Sequence, residues 1–478
     1  MEQTWALKVE RFGKIRQGEI DIAPLMLFIG DNNSGKSYMM SLLWGVLSEG
    51  RKLFPKDPPA TPMYKEIDRF LESAIGHDCL IQNREAQLFV QWFNDVLRNK
   101  KSELIRTIFR RKIPIGSLSI ERYRRSEPLR IIFERKDSLQ GTRFSTGKHY
   151  IRIPYTDRSK GQATERYRMA QYITWNLLMD GLTSPFYPPS RQGGIQGRAI
   201  GEALYLPASR TGFMLSYKAL VQEMMERMIT EEHEESFLEF TLPVYRFLQA
   251  LLRLEESGQS KYADIGRFIE TRIANGTMNQ EKGPIPSFYY CPQGKQERLP
   301  LYVTSSLVTE LSPLILFLKS KATYRSLFFE EAEAHLHPRV QRILATALVK
   351  LVNRGMPVWL TTHSDILFQQ VNNLIKLHQH PKREQLMKTY GYVDEDAIDP
   401  KKVRAYQFRL QGQDTIITPL IPTENGFPAE TFNEVILQLN EETYAFQKSS
   451  FASATGWQNG KEAAVYGLER PMPLYFGK

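Results

Sequence analysis

Cysteine is nearly absent: the 478 residues hold two, Cys79 and Cys291. Two thiols make neither a disulfide framework nor a metal set, which suits a reducing compartment. Long apolar runs are missing as well. None approaches the ~18–20 residues of a membrane span, and Met1-Glu2-Gln3-Thr4-Trp5 lacks the charged-then-apolar pattern of a secretory signal. There is no internal repeat and no low-complexity segment. These absences predict a soluble, cytoplasmic chain with no membrane association. A hydrophobic content of 42% is enough for a substantial core, and the length predicts one large or two to three ordinary domains.

Acidic charge is in short supply. The net charge is +10, and it is uneven: between Arg98 and Lys136 thirteen Lys and Arg face four Glu, with Phe109, Tyr123 and Phe133 among them. Such a patch attracts a phosphate backbone or an acidic protein. A solvated face of an inserted domain is the other reading of the same run.

The most specific feature is Gly30-Asp31-Asn32-Asn33-Ser34-Gly35-Lys36-Ser37. The apolar run Leu25-Met26-Leu27-Phe28-Ile29 precedes it, and Tyr38-Met39-Met40-Ser41-Leu42-Leu43 continues as a helix. This is G-x-x-x-x-G-K-[ST] between a strand and a helix. The glycines let the backbone wrap a polyphosphate with its amides pointing inward. Lys36 would neutralise the β- and γ-phosphates of ATP, and the Ser37 hydroxyl would ligate Mg²⁺.

A second set of chemistry-bearing residues lies far downstream. Ser326-Leu327-Phe328-Phe329 reads as a strand that delivers Glu330 and Glu331. In a P-loop ATPase the first such carboxylate serves the metal and the second activates the attacking water. Glu330 is therefore assigned to Mg²⁺, although Asp is commoner there, and Glu331 to the base. An amphipathic helix follows, ending at Gly355, and the strand Val358-Trp359-Leu360-Thr361 leads to Thr362-His363-Ser364. The 32 positions from Glu331 to His363 suit one turn, one helix and one returning strand. That crossover predicts Glu331 and His363 at neighbouring carboxyl ends of parallel strands, where ligands bind. His363 would then reach the γ-phosphate or the water. His335 and His337 have no third ligand at metal spacing and read as a turn.

Along the rest of the chain, residues 4–29 predict two or three strands. Prolines 55–62 mark a break, 64–110 reads as helical and 113–155 as short strands. Pro185 to Gly201 is Pro- and Gly-rich, 214–256 is helical with an acidic block at 231–235, and 284–320 returns to strand, loop and helix. Val403 to Thr418 reads as a hairpin turning at Gly412, and Asn433 to Gln447 as a helix. Asp394-Glu395-Asp396 falls in a polar loop before Pro400 and makes a poor metal cluster.

The run Phe329-Glu330-Glu331-Ala332-Glu333-Ala334-His335-Leu336-His337-Pro338, followed by Thr361-Thr362-His363-Ser364, resembles the ABC-related ATPases of the OLD and SMC-like group, often labelled AAA ATPases. The likeness covers about 1–50, 200–220 and 300–440. It implies an α/β fold, an ABC-type P-loop ATPase core with a largely helical insertion. The implied divisions are 1–50, the N-terminal core part; 51–200, an inserted helical and basic region; 201–300, a core-edge segment with further helices; 301–450, the C-terminal core part; and 451–478, a tail.

In that group a serine-containing signature precedes the acidic strand, and Thr304-Ser305-Ser306-Leu307-Val308-Thr309 resembles it, with Leu307 where Gly is usual. The resemblance implies that Ser306 touches the γ-phosphate held by another subunit. The chain would then be a homo-oligomer, a dimer or a multiple of two, with ATP sandwiched between protomers. Leu204-Tyr205-Leu206-Pro207-Ala208-Ser209-Arg210 resembles a segment at the nucleotide edge. Arg210 is a phosphate or intersubunit contact, or equally a salt bridge anchoring the following helix.

Nuclease-bearing relatives carry a Toprim domain after the ATPase, and only 115 residues follow His363 here. The resemblance to the ATPases of the PARIS and Septu anti-phage systems implies a sensor and scaffold for a separate effector protein, such as a nuclease, answering a phage-derived trigger protein or nucleic acid. An SMC-like DNA-repair ATPase that clamps DNA is the alternative, and a scaffold that holds ATP with little turnover is a third.

Overall fold

The computed structural model describes residues 3–138, 144–147, 149–183, 202–229, 240–254, 260–321, 324–423, 426–428 and 437–446. The stretch Pro185 to Gly201, the acidic block at 231–235 and the tail 451–478 lie outside them. The chain divides into two units, 1–428 and 429–478. In the second, residues 437–446 form a helix whose Leu437, Leu439, Tyr444 and Phe446 are exposed.

The first unit is organised on a nine-stranded sheet. Its order is Ser117–Arg125, Gln3–Phe12, Ile15–Asp21, Asp414–Leu420, Val403–Gln411, Leu25–Gly30, Val358–Thr361, Ser326–Phe329, Ala203–Leu206. The last five strands are mutually parallel. Strands covered on both faces must be apolar throughout rather than alternating. Leu25 to Ile29, Ser326–Phe329 and Val358–Thr361 are accordingly buried at every position. The flanking strands pair antiparallel, Gln3–Phe12 with both Ile15–Asp21 and Ser117–Arg125. The predicted hairpin is present as Val403–Gln411 and Asp414–Leu420, with Gly412 at φ +65° in its turn.

The crossover has the geometry its length predicts. Helix Pro338–Asn353 joins Ser326–Phe329 to Val358–Thr361, which pair in parallel with Leu327 opposite Val358 and Phe329 opposite Leu360. Strand Val358–Thr361 lies between the acidic strand and Leu25–Gly30, with Thr361 opposite Phe28. The phosphate loop, the acidic turn and the His363 loop thus leave three adjacent strands at the same edge. Helix Lys36–Glu49 crosses the sheet toward Ala203–Leu206, where Trp44 Nε1 donates to the Ala203 carbonyl at 3.1 Å.

The stretch 51–183 contributes helices Pro62–Ala74, Asn83–Phe109 and Ala163–Met179, and a four-stranded sheet ordered Cys79–Ile81, Leu129–Arg135, Tyr150–Tyr155, Ser145–Gly147. Its core is aromatic: Phe54, Tyr64, Trp92 and Tyr167 meet at centroid distances of 5.1–5.9 Å. One strand of this stretch, Ser117–Arg125, is an edge of the main sheet. Its apolar core runs continuously into that of the main sheet through Trp5, whose Nε1 donates to the Leu178 carbonyl at 2.9 Å.

Candidate functional site

The loop after Leu25–Gly30 takes its shape from residues tolerant of positive φ. Gly30 (φ +128°), Asn33 (φ +60°) and Gly35 (φ +89°) all occupy that half of conformational space. Gly30 has a second reason to lack a side chain, since a Cβ there would lie 2.1 Å from the Phe408 carbonyl oxygen. The Ser34 hydroxyl donates to the Asp31 carbonyl at 2.7 Å, and Asp31 Oδ2 accepts from Leu410 N at 3.3 Å. Asn32 completes the turn, exposed. Helix Lys36–Glu49 starts at the loop, so its free N–H groups and positive dipole end face the same hollow.

Lys36 is buried and folds back over the loop. Its Nζ donates to the carbonyls of Gly30 (3.0 Å) and Asp31 (2.6 Å) and lies 3.4 Å from Ser34 Oγ. Burial lowers its pKa to about 8, against the opposing pull of Asp31, Glu331 and Glu333.

Glu330 and Ser37 come together. The buried Glu330 carboxylate lies beside the hydroxyls of Tyr205 and Ser37, and its Oε2 accepts from Ala208 N at 3.2 Å. Burial raises its pKa, the hydrogen bonds oppose the rise, and Glu331 adds to it. Tyr205 is itself held by Ser41, 3.0 Å from its hydroxyl. A hydroxyl and a buried carboxylate at the foot of a phosphate loop form the hard-oxygen set that Mg²⁺ takes when phosphates complete its shell.

Glu331 follows directly, with its backbone at φ +42°. Its N–H donates to Thr361 Oγ1 at 2.8 Å, so the acidic turn is pinned to the neighbouring strand. His363 leaves that strand half-buried and is hydrogen-bonded to the backbone of Gly30. Burial lowers its pKa, the Lys36 charge lowers it further, and Glu333 and Glu331 oppose.

Glu333 is the residue that sequence reasoning passed over. Its Oε1 accepts from His363 N, and its charge acts on both Lys36 and His363. A third carboxylate two positions after the base was visible in the run, but its reach to His363 depends on the crossover.

Arg210 lies against the backbone of the acidic turn. It is completely buried, pairs with Glu310 at 2.7 Å, and donates to the carbonyls of Pro207 (3.0 Å), Glu330 and Glu331 (3.0 Å). Of the two sequence readings, the salt bridge is the one formed. Ser306 opens helix Ser306–Lys319 and is exposed, and Ser305 Oγ caps that helix by accepting from Val308 N at 3.4 Å. Among the described residues, no hydrogen bond joins Ser306 to the loop at 30–37.

Asp394, Glu395 and Asp396 are engaged by Arg383, Arg354 and Lys350, each at 2.7–2.9 Å. No group of three His, Cys, Asp or Glu able to hold a metal occurs among the described residues.

The basic run divides in two. Arg98, Lys100, Arg122, Arg130, Arg135 and Lys136 have acidic partners, several distant in sequence: Asp21 for Arg122, Asp78 for Arg130, Asp157 for Arg135. Arg110, Arg111 and Lys112 are exposed at the end of helix Asn83–Phe109. They adjoin the turn carrying Arg11 and Lys14, to which Gly13 N–Pro114 O (3.3 Å) and Gly116 N–Glu10 O (2.8 Å) bind the segment.

Residues 217–368 match the family model described as "AAA ATPase domain". No curated protein matches the chain. Among solved structures, the chain is similar to an SMC head bound to the C-winged helix domain of ScpA, at 10% identity and a TM-score of 0.36, covering 87% of this chain and 97% of that one. It is also similar to the SMC head domain from Thermotoga maritima, at 11% identity and a TM-score of 0.31 over 87% and 99%. A third is an Smc head with an extended coiled coil bound to the C-terminal domain of ScpA derived from Pyrococcus furiosus, at 11% and 0.33 over 92% and 100%. Identity and superposition at this level assign no activity to this chain. Its fold is that of a mixed α/β P-loop ATPase.

Proposed function

We propose that the chain is a Mg²⁺-dependent ATP hydrolase. The observation that carries this reading is the placing of Ser37 beside the buried Glu330 carboxylate, which joins a phosphate loop to an acidic strand from the far side of the sequence. The loop amides and Lys36 bind the β- and γ-phosphates. Ser37 and Glu330 would hold Mg²⁺, which would neutralise phosphate charge when bound. Glu331 takes the proton of a water as its oxygen attacks the γ-phosphorus, and the bond to the bridging oxygen of ADP breaks. His363, neutral at pH 7, orients the water or the γ-phosphate.

The finer reading is an ATP-built homo-oligomer that senses a trigger and governs a separate effector in anti-phage defence. Exposed Ser305 and Ser306, beside exposed Tyr302 and Val303, favour a second protomer at the start of helix Ser306–Lys319. The sensor and effector roles rest on the motif resemblance of 329–338 and 361–364. The basic group Arg11, Lys14, Arg110, Arg111 and Lys112 favours a second reading, a DNA-clamping ATPase.

The test is turnover and nucleotide binding by the full-length chain. Lys36→Ala should lose Mg-ATP binding. Glu331→Gln should bind ATP, hydrolyse it about 10²–10⁴-fold more slowly and accumulate the ATP-bound assembly. Wild-type turnover in Glu331→Gln would remove Glu331 from the base role. Duplex DNA that speeds turnover in a salt-sensitive way would move the reading to the clamp.

A further inference from the structure

We propose that Arg210 is a positioning residue that holds the backbone of Glu331 and couples it to helix Ser306–Lys319 through Glu310. The proposal rests on the reading of Glu331 as the residue that takes the water's proton.

Glu331 has a left-handed backbone (φ +42°), which crowds Cβ against the peptide and is ordinarily left to Gly or Asn. Such a conformation persists when its surroundings over-determine it. Here both peptide groups of Glu331 are gripped. Thr361 Oγ1 takes its N–H at 2.8 Å, and Arg210 Nη2 donates to its carbonyl at 3.0 Å. The same guanidinium holds the carbonyls of Glu330 and Pro207 and stacks 4.5 Å over the Phe329 ring. Direction at Glu331 is set by this backbone, with its charge acting on Lys36 and His363 while Glu330 lies beside Ser37.

The same Nη2 also meets Glu310 Oε1 at 2.7 Å, with both side chains completely buried. Glu310 Oε2 also takes Thr211 N (2.9 Å) and Thr211 Oγ1 (2.6 Å), so the start of helix Arg210–Ile229 is tied in as well. Burying an ion pair is costly, and an apolar pair would hold two helices together at least as well. What the charged pair adds is a planar fork that reaches a carboxylate and three carbonyls at once, which a lysine cannot do. Glu310 lies one helical turn beyond Ser306 on the same helix. A displacement of that helix start is therefore carried, through Arg210, to the peptide that aims Glu331.

The test uses the full-length chain with Arg210→Lys, Glu310→Gln and the double variant. Each single change should lower ATP turnover about tenfold to a hundredfold, the effect of a small misplacement at a reacting centre, and leave ATP affinity unchanged. The double variant should be no worse than the poorer single, as for two groups acting as one unit. Hydrogen exchange gives a readout that needs no turnover. In ligand-free Glu310→Gln the amides of Glu331 and Ala332 should exchange faster while helix Pro338–Asn353 keeps its protection. Unchanged turnover in folded Glu310→Gln, additive losses, or unchanged exchange at Glu331 would each overturn the coupling. If wild type binds ATP without hydrolysing it, the hydrolase reading fails and exchange still decides the coupling. If Arg210→Lys does not fold, the isosteric Glu310→Gln carries the test.

Discussion

The ammonium of Lys36 lies 2.6 Å from the carbonyl oxygen of Asp31, inside the loop it belongs to. Burial lowers its pKa to about 8, against the opposing pull of Asp31, Glu331 and Glu333. Polyphosphate selects the protonated lysine. Mg-ATP affinity should be flat below about pH 8 and fall about tenfold per pH unit above it, for as long as Lys36 stays protonated in the complex. Calorimetry in two buffers of different ionisation enthalpy should show proton uptake on binding at pH 9 and none at pH 6.5. The stability effect has the opposite sense. Because the folded pKa lies below the unfolded one, Lys36 destabilises the ligand-free fold below pH 8, and that cost is relieved as pH rises from 8 toward 10.5.

Removing the charge of Glu330 while keeping its shape should expose the metal requirement. Glu330→Gln should raise the Mg²⁺ concentration for half-maximal turnover by about 10–100-fold, and Ser37→Ala should act in the same direction. EDTA should stop turnover of the wild type. A Mg²⁺ titration that leaves Glu330→Gln on the wild-type curve would place the metal elsewhere.

His363 should be neutral at pH 7, because burial and the Lys36 charge both lower its pKa. Its imidazole signal, identified among the eight histidines by its loss in His363→Asn, should titrate below about pH 6.5 in NMR spectra. The sign follows from the depressed value. Protonating the folded state is harder than protonating the unfolded one, so His363 takes stability from the fold as pH falls below 6.5. A midpoint above 6.5 would mean that the carboxylates of Glu331 and Glu333 outweigh burial.

Glycine substitutions should separate loop geometry from helix propensity. Gly30→Ala forces a Cβ to 2.1 Å from the Phe408 carbonyl at φ +128°. It should lose Mg-ATP binding and destabilise the fold by about 1–3 kcal/mol from backbone strain alone. Gly212 sits in helix Arg210–Ile229 with open space where a Cβ would be. Gly212→Ala should stabilise by about 0.4–1 kcal/mol. Chemical denaturation of the two variants side by side measures both.

The parts of the site legible in the sequence are those whose geometry is fixed within a few residues. Gly30 to Ser37 announces its loop because glycine and asparagine sit where positive φ is required. Glu330 follows an apolar strand too short to be anything but buried, and the spacing to His363 admits one crossover. What stayed open depends on side chains meeting across the fold. The sequence placed Arg210 next to the site but not the direction its guanidinium turns, which Glu310 decides. Tyr205 bridges Ser41 and Glu330 only once helix Lys36–Glu49 lies over Ala203–Leu206. Strand Ser117–Arg125 looks like its neighbours at 129–155, yet its partner is the first strand of the chain. The basic run gave a net charge with no hint that Asp21, Asp78 and Asp157 would pair with three of its thirteen cations.

The tight approach of Gly30 to Phe408 has a consequence for how this protein is made. The phosphate loop is walled on one side by Phe408, translated 378 positions after Gly30, so a ribosome-bound chain lacking residues beyond 400 holds an unfinished site. The strand Leu25–Gly30 then waits with both edges unpaired until Val358–Thr361 and Val403–Gln411 emerge. Pairings this remote in sequence fold slowly, and the waiting edges are open to wrong partners. Synthesis of the chain should therefore draw on chaperones, and nucleotide binding should appear all at once as the hairpin of Val403–Gln411 and Asp414–Leu420 docks.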